Sequence, residues 1–353
     1  MANHRLDFIL FGQNLRIFVI FLKSNRPHAF FFINFEFVFF ITYMTRTYFH
    51  IFISVLVVVA TASCSGHKAT TDTDSFTVIS INSLSDSTEA VTSAELQAFL
   101  KTVGASDLNA WRQTDAARIF SPAADSVFAE LKPERTVASV IANARREGLQ
   151  IPATNFATGV WGKRQSIIFT DSVMIVALNH YLGPAYPGYD GLPEHIRRLK
   201  TPEMLSYDIA EALTATAYPY EGDNATTLSR LLYEGALTEA KIRLVDKASP
   251  AAALGYDEET YAEIEHNERE LWQKILENRL LFDRDPTVAA RLTAPAPFTS
   301  ILGGKVPGRV GRYVGWRIVR AYLDHNPEVS LTDLLSKDFY LSDEILRRAD
   351  YRP

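Results

Sequence analysis

Cysteine and histidine are scarce in this sequence, and their scarcity excludes several kinds of site. Only Cys64 stands among 353 residues, so an internal disulfide and a cysteine-based zinc site are both excluded. The eight histidines include no two that lie four positions apart, so the paired-histidine helix of a zinc peptidase is absent too. Positive charge is not in excess either. The formal net charge of -5 and the pI of about 5.9 give no electrostatic reason to expect a nucleic-acid partner.

The lone cysteine closes a segment that has the features of a bacterial export signal. Met44, Thr45 and Arg46 give it a positively charged start, and residues 48–60 are an apolar stretch of suitable length, too short for a comfortable membrane span. Small residues at 61–63 then precede Cys64, as in a loosely written lipobox. We therefore expect residues 44–63 to be a lipoprotein signal peptide and Cys64 to be the acylated first residue. A plain signal anchor with an unrelated cysteine is the alternative.

The residues on either side of this signal are expected to lie outside the folded domain. Residues 1–43 carry two Phe-rich runs, at 8–22 and 29–42, with polar residues scattered through them. We expect this stretch to be a non-native extension upstream of a true start at Met44, and two membrane segments are the alternative. Residues 64–90 begin with the lipidated cysteine and are rich in Ser, Thr and Asp, which predicts a disordered tether because such a composition cannot support a core.

Residues 91–353 are predicted to form a single α-rich domain with a small β-sheet ahead of its central helices. Apolar residues at helical spacing predict helices at 92–103, 124–131, 136–147, 193–199, 202–217, 225–245, 257–282, 309–324 and 331–336. Ser93 is the expected N-cap of the first helix, and Gly148 is the expected end of the third. Two β-rich runs, at 166–169 and 173–178, predict adjacent strands, the second buried on both faces. The fold class is therefore α+β, mostly α.

Two of the predicted helices have the spacing of the metal-binding helices in a gluzincin-type zinc peptidase. Such a peptidase needs two histidines four apart, a Glu base beside the first, and a carboxylate from a second helix, often followed by Gly. Glu234 and Gly235 fit the second helix, but Tyr207 and Glu211 stand at the histidine positions and Asp208 at the base position. A conventional zinc site cannot be built from these residues. We expect the three carboxylates to be structural, and a site for a hard cation such as Ca²⁺ is the alternative.

Three further stretches resemble the gliding motility-associated lipoprotein GldB family. They are LNHYLGP at 178–184 with the Pro-Tyr loop after it, PGRVGRYVGW at 307–316, and ADYRP at 349–353, in the family's order. The family consists of envelope lipoproteins of Bacteroidota that are distantly similar to gluzincin-type peptidases whose histidines have been lost. The resemblance covers roughly residues 95–353. It implies a zincin-like single domain in which Tyr207, Asp208, Glu211 and Glu234 are the remains of a metal-binding cleft.

Four more residues are candidates for lining that cleft or for contacting a ligand. His180 follows the second predicted strand, and a structural role is its alternative. Arg309 and Arg312 lie three positions apart beside Tyr313, so they could hold a carboxylate or a phosphate in the cleft. Their alternative is a core helix with solvated arginines. Two glycines four positions apart in the same helix permit the close approach of a neighbouring helix.

The resemblance implies a noncatalytic cell-envelope lipoprotein that supports gliding motility or the associated protein secretion. The lipid on Cys64 would hold it in the inner or outer membrane, on the periplasmic side, and it would act through contacts with other envelope proteins. We expect no catalytic residue, no metal and no cofactor. Two alternatives stay open: a metal-dependent peptidase with ligands from Asp208, Glu211 and Glu234, and a module that binds peptides or peptidoglycan fragments in the cleft near Tyr207, Arg309 and Tyr313.

Overall fold

The computed structural model describes residues 77–84, 93–153 and 155–353. The proposed extension, the signal peptide and Cys64 lie outside the described residues, so the statements about them stay predictions. Within the described ranges, no helix is both long enough and apolar enough to cross a membrane.

Four short strands form one mixed sheet in the order β1, β2, β4, β3. The strands are β1 (Thr77–Ser80), β2 (Asn155–Gly159), β3 (Ile167–Phe169) and β4 (Val173–Ala177). β1 and β4 each pair in parallel with β2, and β3 pairs antiparallel with β4. All five residues of β4 are buried, as its continuous apolar run predicts. The predicted adjacency of the two β-rich runs is therefore confirmed.

The folded domain begins earlier than the predicted residue 91. Residues 77–80 belong to the stretch predicted as a tether, yet they form β1 and pair with β2 from Thr77 to Ser80. The error has a physical reason. A four-residue strand inside a Ser- and Thr-rich stretch carries little periodic signal, and its hydrogen-bond partner is supplied by a distant segment.

Four helices stand between β1 and β2 in the chain. They are α1 (Ala94–Val103), α2 (Leu108–Arg112), α3 (Asp115–Leu131) and α4 (Pro133–Arg146). The side chain of Ser93 accepts a hydrogen bond from the Leu96 backbone N–H at 3.2 Å, which confirms it as the N-cap of α1. Gly148 has a φ of 73°, the left-handed conformation that ends a helix, and it follows α4 as predicted.

Eleven helices follow the sheet in the described part of the chain. They are α5 (Glu194–Arg197), α6 (Met204–Ala217), α7 (Thr227–Leu244), α8 (Pro250–Leu254), α9 (Glu258–His266), α10 (Glu268–Glu277), α11 (Pro286–Thr293), α12 (Val310–His325), α13 (Leu331–Leu334), α14 (Lys337–Tyr340) and α15 (Glu344–Ala349). The long helix predicted at 257–282 is two helices that meet at Asn267. The described residues are 58% helical and 7% strand, so the mostly α member of the α+β class is confirmed.

Helix α7 is the centre of the domain, and α12 crosses it at very short range. Most of α7 is buried, including Glu234, Thr238, Glu239 and Lys241. Helices α4, α6, α8, α11, α12, α13 and α14 all pack against it. An α-helix buried on nearly all sides must satisfy its polar side chains within the protein, because a buried unpaired charge is strongly unfavourable. The ion pairs of α7 therefore define the interior of the molecule.

Candidate functional site

Glu211 of α6 lies between two cations that come from different helices. The Lys241 Nζ of α7 donates to its Oε2 at 2.8 Å, and the Arg312 Nη1 of α12 donates to its Oε1 at 3.0 Å. Only 5% of the Lys241 side chain and 18% of the Arg312 side chain are exposed. The carboxylate that occupies a histidine position of the zinc-peptidase pattern is therefore neutralised by the protein itself.

Glu234 of α7 shares one of those cations. Arg230 Nη2 donates to its Oε1 at 2.6 Å, and Arg312 Nε lies 3.0 Å from its Oε2. The Glu234 side chain is 1% exposed. Arg312 thus contacts one carboxylate from α6 and one from α7, the two helices that would carry the metal ligands in a gluzincin. A guanidinium stands where the peptidase pattern would place a cation.

Asp208 is held one turn before Glu211 by a hydroxyl. The Tyr181 hydroxyl donates to Asp208 Oδ2 at 2.8 Å. Burial raises the pKa of Asp208, and the Tyr181 hydrogen bond together with the charges of Lys241 and Lys200 opposes that rise. The sequence therefore brings Asp208, Glu211 and the Glu234–Arg312 pair to adjacent helices, as the zinc-peptidase comparison predicts for the carboxylates.

Opposing charges set the ionisation of this cluster, which we call the Arg312 network (Asp208, Glu211, Arg230, Glu234, Lys241 and Arg312). Burial alone would raise the pKa of Glu211, but Arg312 and Lys241 outweigh it and hold that pKa well below its ordinary value. Burial would lower the pKa of Arg312, and the two glutamates outweigh that effect and raise it. Burial also lowers the pKa of Lys241. Glu211 and Arg312 are therefore charged at neutral pH.

The backbone of two helices fixes these side chains. A Cβ built on Gly235 would lie 2.4 Å from the carbonyl carbon of Gly315, and one built on Gly315 would lie 1.9 Å from the carbonyl oxygen of Leu231. Because no Cβ stands between them, α7 and α12 cross in backbone contact, which confirms the predicted close approach. Glu234 directly precedes one of these glycines, and Arg312 lies three positions before the other.

Arg309 also belongs to this region but has no ion pair or hydrogen bond with any described residue. It precedes α12 with a φ of 67°, a left-handed conformation that is uncommon for a residue with a side chain. Its Nη1 occupies the space that a side chain at position 255 would fill, because Gly255 has none. Burial and the charge of Arg312 lower the pKa of Arg309, so its positive charge adds to that of the network.

Two of the predicted cleft residues point elsewhere. The Tyr207 hydroxyl accepts a hydrogen bond from the Ser249 backbone N–H at 2.9 Å, and Tyr207 lines a separate cleft of about 500 Å³. Tyr313 is fully buried against the Tyr261 ring, with the centroids 6.1 Å apart. Consecutive helical residues point about 100° apart, so neither tyrosine shares the direction of the residue next to it, Asp208 or Arg312. The expected cleft formed by Tyr207, Arg309 and Tyr313 is not present.

His180 joins a loop to a lysine and lies outside the Arg312 network. Its Nε2 is 3.1 Å from the Lys163 carbonyl oxygen, and its Nδ1 is 3.2 Å from Lys200 Nζ. These contacts assign the proton to Nε2 and leave Nδ1 as the acceptor. Burial and the nearby charge of Lys200 lower its pKa to about 4, so the ring is neutral at neutral pH. The structural interpretation of His180 accounts for both ring nitrogens.

The three stretches that carry the family resemblance each supply buried polar contacts. In 178–184, the Asn179 amide bonds both the N–H and the carbonyl of Trp161. In 307–316 lies Arg312, and in 349–353 the Tyr351 hydroxyl donates to Glu268 Oε1 at 2.7 Å. These motifs therefore fix the interior of the fold.

Two other buried glutamates are neutralised in the same manner. Glu239 of α7 receives Arg243, Arg320 and the Trp316 indole N–H. Glu268 receives Arg317 Nε at 2.8 Å as well as the Tyr351 hydroxyl. Pairing of a buried glutamate with arginine is thus a general feature of this domain, and it provides comparison pairs for the Arg312 network.

Across the described ranges, no group of three His, Cys, Asp or Glu residues is placed to hold a metal ion. The site for a hard cation that the sequence allowed from Asp208, Glu211 and Glu234 is therefore not formed. Sequence reasoning missed the residues that replace it: Arg230, Lys241, Lys200 and Tyr181. One signal was available, because Arg230 and Lys241 lie four before and seven after Glu234 and so share its face of α7.

Comparison with known proteins gives one match. A family model described as gliding motility protein GldB matches residues 77–353, which include every described strand and helix. No curated protein and no solved structure matches the chain. The similarity to zinc peptidases thus has no support from a solved structure. The match begins at β1, in agreement with a folded domain that starts before residue 91. The chain belongs to the GldB family of gliding motility proteins.

Proposed function

We propose that this chain is a noncatalytic lipoprotein of the cell envelope that supports gliding motility, or the associated protein secretion, through contacts with other envelope proteins. Membership of the GldB family supports the general statement, a lipoprotein related to gliding motility. The noncatalytic mode of action and the attachment through Cys64 are the proposal.

The observation that carries the proposal is the position of Arg312. It contacts Glu211 at 3.0 Å and Glu234 at 3.0 Å, so the carboxylates of α6 and α7 already have a cationic partner within the protein. A divalent metal at the same place would have to displace or repel a guanidinium and Lys241. Zinc hydrolysis also needs an open coordination position for water, with a base beside it. Each carboxylate here is committed to protein donors instead.

The rival interpretation, a peptidase that uses carboxylate ligands, gives a different expectation for Asp208. In that interpretation Asp208 is the general base, and general-base catalysis contributes about 10²–10⁴-fold to a rate. In the noncatalytic interpretation it only accepts the Tyr181 hydrogen bond, which an asparagine side-chain oxygen can also accept. Asp208→Asn is nearly isosteric, so it separates the two interpretations.

The experiment is complementation of a deletion strain of the source bacterium. Cells that carry Asp208→Asn should spread and secrete as the wild-type complement does, at equal protein level. Arg112→Gln, a change far from α6 in the sequence, is the control for expression of a substituted chain. Loss of spreading with normal amounts of Asp208→Asn protein would contradict the noncatalytic interpretation. Crosslinking of the tagged wild-type chain in the same cells should recover other envelope proteins.

A second arm tests the anchor. Cys64→Ala, expressed from Met44, should leave the detergent-soluble membrane fraction, because acylation at that position would supply the membrane attachment. Deletion of residues 1–43 should leave fractionation unchanged. Unchanged membrane partitioning of Cys64→Ala would refute the attachment through that cysteine.

A further inference from the structure

A cleft of about 470 Å³ lies beside the Arg312 network, next to α7 and α11. Arg230, Glu234 and Arg312 all line it, and Arg284 and Asp285 contribute one further charge of each sign. The apolar part of its lining consists of small residues: Ala225, Pro286, Ala289, Ala290, Ala294 and Pro295. The cleft therefore combines arginine side chains with a narrow apolar wall.

The network beside this cleft has more positive than negative charge. Three cations (Arg230, Lys241 and Arg312) are joined by ion pairs to two carboxylates, Glu211 and Glu234. Arg309 adds a further cation without an ion pair in the described part of the chain. Partly buried charges favour neutralisation. An anion in the cleft would supply the missing negative charge.

Several hydrogen-bond donors of the lining residues are unused. Arg230 binds Glu234 through Nη2 alone, and its guanidinium lies over the Tyr220 ring, 4.9 Å from the centroid. Arg312 uses Nη1 for Glu211 and places Nε beside Glu234, so its Nη2 has no acceptor among the described residues. Thr227 also lines the cleft, and its buried hydroxyl has no described partner. These groups can bind a planar oxyanion.

We propose that the cleft binds the terminal carboxylate of a peptide chain. Arginine forks match a carboxylate in a bidentate geometry. Glu234 and Asp285 are part of the lining, so a monoanion is repelled less than a doubly charged phosphate. The volume lies in the range that holds small organic ligands, and the Ala and Pro wall suits small side chains. A peptide end therefore fits better than a single ion.

The occupant comes from another molecule. The carbonyl oxygen of Pro353, the last residue of this chain, accepts a hydrogen bond from Arg269 Nε at 3.2 Å. Arg269 is not part of the cleft lining. This inference deepens the proposed function by naming a chemical group that the protein contacts, and in that sense it rests on it. Its test uses purified protein, so it can fail while complementation by Asp208→Asn succeeds, and the reverse.

The test is binding of short peptides to the full-length chain in a nonionic detergent, followed by saturation-transfer NMR of the peptide. The probe is N-acetyl-trialanine with a free carboxylate, and its matched control is the same peptide as the C-terminal amide. Loss of a charge-assisted hydrogen bond weakens binding by about tenfold or more. The acid should therefore bind at least about tenfold more tightly than the amide.

Two substitutions place the binding in this cleft. Ala290→Trp fills it from an exposed position on α11 without touching an ion pair, and should abolish binding. Ala262→Trp, at an exposed position on α9 outside the lining, is the matched control and should bind as wild type. Arg230→Gln should weaken binding about tenfold. Arg320→Gln removes an arginine from another buried glutamate, Glu239, and should leave affinity unchanged.

The outcomes decide the proposal. Binding of the acid that is weak for the amide and lost in Ala290→Trp alone supports it. Equal binding of acid and amide overturns it, as does binding that Ala290→Trp leaves intact or no binding at millimolar peptide. Inorganic phosphate that displaces the peptide at a lower concentration than acetate does would identify a phosphate site and would also overturn it.

Discussion

Gly235 and Gly315 touch through their backbones, and this contact holds the two central helices together. A Cβ at position 235 would lie 2.4 Å from the carbonyl carbon of Gly315, well inside the distance that packed atoms can adopt. The same crossing brings Glu234 and Arg312 to 3.0 Å. The glycine contact and the ion pair are therefore one arrangement, in which the first permits the second.

Substitution of Gly315 by alanine should be strongly destabilising. The added Cβ would lie 1.9 Å from the Leu231 carbonyl oxygen, and backbone cannot move aside as a flexible side chain can. We expect the free energy of unfolding to fall by about 3 kcal/mol or more, as for severe overpacking. Chemical denaturation measures it. Gly304→Ala, where an added Cβ meets nothing within 4 Å, should change stability by less than about 0.5 kcal/mol. Equal effects at both positions would contradict the close crossing.

The Lys241–Glu211 pair should show strong coupling in a double-mutant cycle. Lys241 is 5% exposed, so Lys241→Met leaves Glu211 with Arg312 as its only ion-pair partner and should cost about 2–4 kcal/mol. Adding Glu211→Gln should recover part of that loss, since both charges are then gone. The comparison pair is Lys274–Glu270, whose side chains are 38% and 64% exposed and which should show little coupling. Additive effects at Lys241 and Glu211 would show that their contact is not energetically important.

His180 should make the protein less stable in mild acid. Its pKa falls from 6.5 to about 4 in the folded protein, through burial and the charge of Lys200. The folded state resists protonation, so this contribution to stability is complete above pH 6.5 and is lost as the pH falls towards 4. Between pH 7 and pH 5 the wild type should lose about 1–2 kcal/mol more than His180→Gln, measured by denaturant unfolding. Identical pH dependence of the two proteins would refute a buried neutral ring.

Much of the fold was predictable because its long helices have strong apolar periodicity. The predicted helices at 202–217, 225–245 and 309–324 correspond to α6, α7 and α12 within two residues at each end. The strands β1 and β2 were missed because they are short and pair in parallel across a long separation in sequence, which leaves no local signal. Short helices such as α8 and α13 escape or blur for the same reason, since tertiary packing rather than periodicity stabilises them.

The candidate site was predicted in position but not in chemistry. Glu211 and Glu234 do meet across adjacent helices, but through Arg312, whose role depends on a helix from a later part of the sequence. The Glu-Gly pattern is also informative for a different reason. Gly235 is required by the backbone of Gly315, so the pattern of a metal ligand followed by glycine is here explained by helix packing.

Metal content and peptide cleavage of the same purified protein test the central claim that Arg312 provides the cation between α6 and α7. Full-length protein would be incubated with zinc, passed through a desalting column, analysed for metals and assayed against a mixed peptide substrate. The account predicts no stoichiometric zinc and no cleavage above that of Asp208→Asn. Stoichiometric zinc, with chelator-sensitive cleavage that both Asp208→Asn and Glu234→Gln abolish while the protein stays folded, would contradict it.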